Sequence, residues 1–377
     1  MRTAVWFACL LLALPGSADA AQDLLVGQVA SLTSPVTSVN AKGLIAGLNV
    51  YFAHVNAQGG VGGRQVKLVN RDDQVATGKM AEITREFIAD KNVIALVAYQ
   101  NTAGISDVAK LNLAGEHGIA MIAPFQGDRS IVSAPNFYPF RSGYPDEVAA
   151  MIREAVQTQK KKTVLVYQSA TFGPAMLQYA QEMAKKEGLN IAGYVKIETA
   201  AADKIEASVQ SGAEEAGKLA PDAVLLLMGG RAAPLTVKAL KNTARDAQLY
   251  LMSVVPALET YKAIGEAARG VIITQAVPFP FSATLPIVNQ YQKLMKQYAP
   301  NDELSFSSLE GFIAAKITVE ALKRAGPSPT REKVLKALNS MGEFDLGGVY
   351  VNYSSQARSG WGGVDLTIIG ANGRLLR

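Results

Sequence analysis

Short β-rich runs alternate with segments of helical periodicity along this 377-residue chain from residue 22 onward. The first apolar run, Leu24–Ala30, is followed by apolar residues at helical spacing from Leu44 to Val55, and the glycines at 59–63 end that helix. Strands separated by helices in this way form βαβ units, which build a parallel sheet with helices on both faces. The sequence therefore predicts an α/β fold whose further strands are Val66–Val69, Val93–Val97, Ile119–Ile122, Val164–Tyr167, Ile191–Val195, Ala223–Met228, Tyr250–Met252 and Val271–Thr274.

These strands are more numerous than one core of ordinary size accommodates, so we expect two α/β lobes. Abrupt Pro/Gly breaks near Tyr138–Pro145 and Pro278–Phe281 are the places where we expect the chain to cross between the lobes. After the second break, the periodicity predicts a long helix over Ser305–Ala325 and a shorter one over Arg331–Leu338.

The first twenty residues have the three parts of a secretory signal peptide. Met1-Arg2 supplies the positive charge, Ala4–Leu14 is a short apolar segment, and Ala18-Asp19-Ala20 is a cleavage site of small residues. The apolar segment is shorter than the roughly 20 residues that span a bilayer. Cys9 follows bulky aromatic residues, which argues against lipid attachment. We therefore predict a soluble periplasmic protein that, after cleavage of residues 1–20, contains no cysteine.

The composition argues against nucleic-acid binding and against metal chemistry. The net charge is only +5, and the densest basic run, Lys160–Lys162, stands alone beside an apolar strand. Two histidines and one cysteine in the whole chain make a His/Cys metal site or a Cys–His nucleophile hard to assemble. We therefore expect no metal and no cofactor.

No catalytic motif stands out in the sequence. The glycine cluster at 59–63 follows a helix and precedes a strand, the reverse of the order in a phosphate-binding loop. Asp72-Asp73 lies at a strand end, where a charged turn is favoured over acid–base catalysis. His54 and His117 lie on helical segments and are interpreted as surface residues. The chain is therefore predicted not to be an enzyme.

A binding function fits this architecture better. In open α/β sheets, ligands bind beyond the carboxyl ends of the strands, where helices begin with unpaired N–H groups and a partial positive charge. Strand Val93–Val97 runs into Ala98–Gly104, and Thr102 lies at or beside the first residue of the next helix. Two interpretations stay open at this point: Thr102 contacts a ligand, or Asn101 or Thr102 simply caps the helix.

Several longer segments favour the first interpretation, because they resemble one known family. The chain is similar to the periplasmic solute-binding proteins of branched-chain amino-acid ABC transporters, which have the type I periplasmic-binding fold. The resemblance covers nearly the whole chain after the signal peptide and is strongest at Val55–Arg64, Val69–Asp73, Ala98–Thr102, Ala123–Phe125, Phe140-Arg141, Ser308–Lys316 and Gly363–Thr367.

The resemblance implies two lobes, each a mainly parallel sheet flanked by helices, joined by three hinge crossovers with the ligand between them. By analogy, the first lobe takes residues 21–142 and 275–348, and the second takes 143–274 and 349–377. In relatives, a hydroxyl at the position of Thr102 holds the ligand carboxylate. The ligand-binding residues predicted on this basis are Tyr99, Asn101, Thr102, Phe125, Gln126, Asp146, Phe172 and Arg231.

Some positions depart from the family pattern. Gly127 replaces a hydroxyl, Phe172 replaces a tyrosine, Arg231 stands where a tyrosine is expected, and Val255 stands where a glutamate pairs with the ligand ammonium. A buried ammonium without a carboxylate partner is costly, whereas an arginine favours an anion. A carboxylate without an amino group, packed by Tyr99 and aromatic neighbours, is therefore the preferred ligand. A surface role for Arg231 at a helix start is nearly as well supported.

The resemblance implies that the protein captures a small organic acid or amino acid and delivers it to the membrane permease of an ABC importer. We expect it to act as a monomer. The alternative is a soluble sensor on the same scaffold that presents its liganded state to a receptor or regulator. An exported enzyme is the third and least favoured interpretation, because no catalytic constellation is present.

Overall fold

A computed structural model of the protein describes residues 22–34, 37–170 and 172–377. The first sheet has five parallel strands in the order β2-β1-β3-β4-β5. Its strands are β1 (Leu24–Ala30), β2 (Val66–Asp72), β3 (Val93–Val97), β4 (Ala120–Ile122) and β5 (Phe137–Tyr138). The helices between and after them are α1 (Ser38–Ala57), α2 (Lys79–Ala89), α3 (Thr102–Lys110), α4 (Leu113–Glu116) and α5 (Arg129–Val132).

A second sheet follows along the chain. Five of its strands are parallel: β6 (Thr163–Gln168), β7 (Ile191–Ile197), β8 (Ala223–Leu227), β9 (Gln248–Leu251) and β10 (Ile272–Gln275). The helices of this part are α6 (Tyr144–Gln157), α7 (Gly173–Glu187), α8 (Ile205–Lys218), α9 (Ala232–Thr243) and α10 (Ala257–Ile264). Buried Ala, Val and Leu fill β8 on both faces, as expected for a central parallel strand.

The chain then returns to the first sheet. Helices α11 (Pro286–Tyr298), α12 (Phe306–Arg324) and α13 (Arg331–Asn339) pack there, and α12 lies along α1. A small antiparallel sheet follows, built from β11 (Gly342–Asp345), β12 (Tyr350–Tyr353) and β13 (Arg358–Ser359). Tyr353 packs edge-on against Tyr138 at 5.5 Å between ring centroids, so this small sheet belongs to the first core.

The last strands are β14 (Asp365–Ile369), which pairs antiparallel with β10, and β15 (Leu375–Leu376), which pairs antiparallel with β14. They complete the second sheet, whose order is β15-β14-β10-β9-β8-β6-β7. The chain therefore passes between the sheets at 139–143, 276–285 and 360–364.

The predicted α/β class with mainly parallel sheets flanked by helices is confirmed. The predicted helix Ser305–Ala325 corresponds to α12, which Ser305 caps by accepting a 3.1 Å hydrogen bond from the Ser308 amide. Strand β2 extends to Asp72, three residues beyond the prediction. The predicted signal peptide, residues 1–20, lies outside the described residues. Within the described ranges, none of the helices combines the length and the apolar character that a membrane crossing requires.

Candidate functional site

The segments that follow the strands of the two sheets meet each other. Thr102 begins α3 just after β3, and its side chain shares a hydrogen bond with the hydroxyl of Tyr144. Tyr144 begins α6 and packs at 4.9 Å between ring centroids against Phe172, which lies beyond the end of β6. On the same side, Asn40 donates a 3.2 Å hydrogen bond to the carbonyl of Val254, just beyond β9. The ends of strands from both sheets therefore form one interface, as expected for a ligand site in α/β folds.

Asn101 is the residue that caps α3. Its Oδ1 accepts a 3.1 Å hydrogen bond from the Ala103 amide, and its Nδ2 donates to Asp73 at 2.7 Å. Asp73 is fully buried and also accepts a 2.7 Å hydrogen bond from the Ser31 hydroxyl. Because Asn101 makes the cap, the hydroxyl of Thr102 is not used for it and points to Tyr144.

Tyr144 explains the glycine at position 127. A Cβ atom added to Gly127 would lie 2.5 Å from Cδ1 of Tyr144 and 2.8 Å from its backbone nitrogen. The Tyr144 ring thus occupies the space beside Gly127, and burial raises the pKa of its hydroxyl. Tyr144 is a site residue that the sequence analysis missed.

A cavity of about 840 Å³ lies between the two sheets and is lined by residues from both parts of the chain, including Asn40 and Ser253. Phe125 and Arg141 contribute to its wall, and the Arg141 guanidinium carbon lies 4.2 Å from the centre of the Phe125 ring. Val255 also lines the cavity and is buried. The position where the family pattern has a glutamate is therefore apolar, as the sequence indicates.

Arg141 is the buried charge at the centre of the interface. It is 5% exposed, and its Nη2 donates to the hydroxyl of Ser253. Its guanidinium nitrogens lie 3.8 Å from a carboxylate oxygen of Glu147 on α6 and 3.8 Å from one of Glu310 on α12. Among the described residues, Arg141 Nε and Nη1 and Glu310 Oε1 have no hydrogen-bond partner. The three groups form an ionic cluster that joins the helices of both sheets.

The two carboxylates of this cluster differ in their surroundings. Glu147 accepts hydrogen bonds from the amide and the hydroxyl of Ser253, both at 2.8 Å, and from the hydroxyl of Thr274. Burial raises the pKa of Glu310 to about 7, although Arg141 opposes the increase, and nearby Glu147 adds to it. Of the two carboxylates, Glu310 is therefore the one whose negative charge is least compensated by neighbouring donors and cations.

The raised pKa predicts a pH-dependent effect of Glu310→Gln. A carboxyl group with a folded pKa of about 7 costs no stability below its unfolded value, and the cost grows as the pH rises toward 7. We expect the variant to be more stable than the parent protein at pH 8, with an advantage about 2 kcal/mol larger than at pH 5. Urea unfolding at both pH values measures this difference. An advantage that is equal at the two pH values, or larger at pH 5, would contradict it.

A second cavity of about 830 Å³ lies beyond Arg141 on the other side. Gln126 lines it and is fully buried; its Oε1 accepts a 2.8 Å hydrogen bond from the Asp128 amide. Asp146 lines the same cavity, pairs with Arg129 at 2.6 Å, and accepts a 3.0 Å hydrogen bond from the Gly143 amide. These two predicted residues are therefore close to each other but are separated from the first cavity by Arg141.

Five predicted residues are not among those that line either cavity: Tyr99, Asn101, Thr102, Phe172 and Arg231. Tyr99 is fully buried in the core formed by α2, α3 and the first sheet, and its hydroxyl lies 3.3 Å from that of Thr84. Arg231 immediately precedes α9, is 54% exposed at its side chain, and forms an ion pair with Glu206 on α8. The structure thus supports the surface interpretation of Arg231. Thr102 and Phe172 both contact Tyr144, Asn101 positions Thr102, and Phe125 lines the first cavity.

The sequence analysis also missed the roles of Arg141, Glu310 and Asp73. Glu310 stands alone as an acid within the apolar stretch Ser308–Lys316, which was the signal for a buried carboxylate. Arg141 precedes a Pro/Gly-containing break, but nothing local indicates its partners. Among the described residues, no group of three or more His, Cys, Asp or Glu side chains is arranged to hold a metal ion.

Comparison with known proteins gives a match to the family model described as "Periplasmic binding protein" over residues 24–369. A curated relative, the Leu/Ile/Val-binding protein homolog 7 of Brucella suis biovar 1 (strain 1330), is 22% identical over 187 residues. That alignment covers 47% of this chain, and the chain spans about half the length of that relative, 46%.

Two solved structures superimpose over most of the chain. An extracellular ligand-binding receptor from Verminephrobacter eiseniae ef01-2 is 26% identical, has a TM-score of 0.86, and covers 94% of this chain and 100% of its own. A fatty acid ABC transporter substrate-binding protein from Thermomonospora curvata is 21% identical, has a TM-score of 0.79, and covers 94% of this chain and 91% of its own. The predicted type I periplasmic-binding fold is confirmed, and both the family and the fold are those of binding proteins.

Proposed function

Since the chain belongs to the periplasmic binding protein family, we propose that it is the solute-binding component of an ABC importer. It captures a small organic acid or amino acid between two lobes and delivers it to a membrane permease. The ligand contacts both lobes and stabilises the closed state by its higher affinity for that state. The protein acts in the periplasm as a monomer after removal of residues 1–20.

The observation that carries this proposal is the cavity between the two sheets, with the buried Arg141 in its wall. Chain passages at 139–143, 276–285 and 360–364 supply the hinges. We place the third hinge there, rather than after residue 348, because Val349, Val351 and Tyr353 pack in the first core. The lobes are otherwise those proposed from the sequence.

A soluble sensor is the second candidate. The relative from Verminephrobacter eiseniae is described as a receptor, whereas the one from Thermomonospora curvata is described as a transporter component. Both uses require the same closure around a ligand. Co-purification with a permease supports the transport role, whereas co-purification with a kinase or regulator supports the sensor role.

The proposal predicts that Thr102→Val weakens ligand binding. Loss of one hydrogen bond to a charged ligand group costs about 1.5–3 kcal/mol, so we expect the dissociation constant to rise at least tenfold. Isothermal titration against amino acids, aromatic acids and short fatty acids measures the effect, and small-angle X-ray scattering checks closure. Thr77→Val, at an exposed loop position, is the control and leaves binding unchanged. Failure of the folded parent protein to bind any of these solutes, or any small organic amine, would refute the proposal.

A further inference from the structure

The cavity between the sheets has an aromatic wall of three phenylalanines, which we call the Phe wall: Phe279, Phe281 and Phe306. Each ring meets the other two edge-on, with centroids 5.3–6.0 Å apart. Phe281 is 46% exposed, and the other two are partly buried. A partly exposed aromatic cluster of this kind is a surface against which a bulky apolar group of a ligand packs, and the faces of its rings attract cations.

The buried ionic cluster, two of whose members (Arg141 and Glu310) line the same cavity, has unbalanced charges. Arg141 is the one cation of the ionic cluster, and Glu147 and Glu310 are its two carboxylates. Glu147 is already satisfied by Ser253 and Thr274. With all three groups ionised, the cluster carries one negative charge, and that charge falls on Glu310.

Glu310 is also the carboxylate with hydrogen-bonding capacity left. It is 2% exposed and lines the cavity, and no donor among the described residues lies within hydrogen-bond distance of its Oε1. A buried carboxylate oxygen of this kind is costly unless a donor or a cation reaches it. The other charged groups at the cavity, Glu259, Glu303 and Arg374, are more accessible to water, and Glu259 already pairs with Lys262 at 2.8 Å. They are screened by solvent, whereas Glu310 is not.

We propose that Glu310 binds the ammonium group of the captured solute, whose bulky apolar body packs against the Phe wall. The ligand class is thus a hydrophobic organic ammonium compound, either a free amine or an amino acid. This inference rests on the proposed capture function. It replaces the sequence-based preference for a carboxylate without an amino group, because Glu310 supplies the ammonium partner that is absent at Val255.

The same arrangement gives Arg141 a role in binding the ligand. Its Nε–H and Nη1–H groups have no hydrogen-bond partner among the described residues, and Nη1 lies 3.8 Å from Glu310. Both can donate to a carboxylate, so a ligand with an ammonium and a carboxylate would satisfy both residues. A carboxylate alone would add a second uncompensated negative charge to the buried cluster, which is unfavourable in a low-dielectric site. The raised pKa of Glu310 agrees with this assignment, because a ligand cation would lower it again and binding at pH 7 would release protons.

The test uses three ligands with the same phenyl group: phenethylamine, phenylalanine and 3-phenylpropanoate. Isothermal titration of the purified protein at pH 7 is expected to show binding of at least one of the two ammonium ligands, at least tenfold tighter than 3-phenylpropanoate. Tighter binding of phenylalanine assigns the amino acid as the source of the ammonium, and tighter binding of phenethylamine assigns the free amine. Either result supports the proposal.

Variants locate the contact. Glu310→Gln is expected to weaken binding of the preferred ammonium ligand at least tenfold and to leave the affinity for 3-phenylpropanoate unchanged or higher. Glu310→Asp keeps the charge and should retain the preference for ammonium. Glu320→Gln, on the same helix but in a surface pair with Arg324, is the matched control and should have no effect.

Three results would overturn the assignment while leaving the proposed capture function intact. One is binding of 3-phenylpropanoate as tight as that of the ammonium ligands. The second is an equal affinity of parent and Glu310→Gln for the ammonium ligand. The third is binding of other solutes but of none of the three phenyl compounds. In contrast, absence of binding to every solute in the wider panel and to all three phenyl compounds, by folded protein, would refute capture itself.

Discussion

Replacement of Arg141 by methionine is expected to lower the free energy of unfolding by about 3–5 kcal/mol. Methionine fills a similar volume but cannot pair with either acid. The substitution leaves Glu147 and Glu310 buried together without a cation, at a site where Arg141 is 5% exposed. It also removes the hydrogen bond to Ser253 and the contact of the guanidinium with the Phe125 ring. Urea unfolding at pH 7.5 measures the loss.

A double variant separates the ionic effect from the loss of packing. Glu310→Gln removes one of the two uncompensated charges, so it should recover part of the stability in the Arg141→Met background. Arg153→Met is the control, because Arg153 lies on the surface and pairs with Glu187 at 3.2 Å; we expect a change below about 1 kcal/mol there. A loss for Arg141→Met as small as that of the control would mean that the buried cluster does not stabilise the fold.

The parallel strands were predictable because their signal is local. A run such as Val93–Val97 is apolar throughout, and the residues flanking it mark both ends, so its bounds agree with those of β3. The shortest helices and strands contain too few residues for a helical or strand periodicity to be recognised in the sequence. Strand β5 has two residues and helices α4 and α5 have four each, so tertiary contacts decide their conformation.

The site was predictable only in part, for a related reason. Thr102 and Phe172 follow strand ends, so topology alone places them at the interface. The ionic cluster instead joins residues that are distant in sequence, Arg141 and Glu310, and no local pattern specifies that pairing. Likewise, the outward-facing side chain of Arg231 depends on Glu206 of the neighbouring helix α8.

Gly311→Ala should be the most disruptive small substitution in the first core. A Cβ atom at position 311 would lie 2.1 Å from the carbonyl oxygen of Leu44 and 2.7 Å from its carbonyl carbon. Gly47 makes the reciprocal approach, because its Cβ would lie 1.9 Å from the carbonyl oxygen of Ser308. These contacts are with backbone atoms, which cannot rotate away, so helices α1 and α12 would have to separate. We expect a loss of about 3 kcal/mol or more in the free energy of unfolding.

The same substitution tests how the fold supports the ligand site, because Gly311 follows Glu310 directly. Separation of α12 from α1 would move Glu310 relative to Arg141, so affinity for the ligand should fall together with stability. Gly212→Ala in α8 is the matched control: its new Cβ would meet the terminal methyl of Ile197 at 2.4 Å, a flexible group that can move aside. There we expect a change within about 1 kcal/mol, since alanine also favours the helix. If Gly311→Ala were as stable as this control, the close approach of α1 and α12 would not be what fixes Glu310 at the cavity.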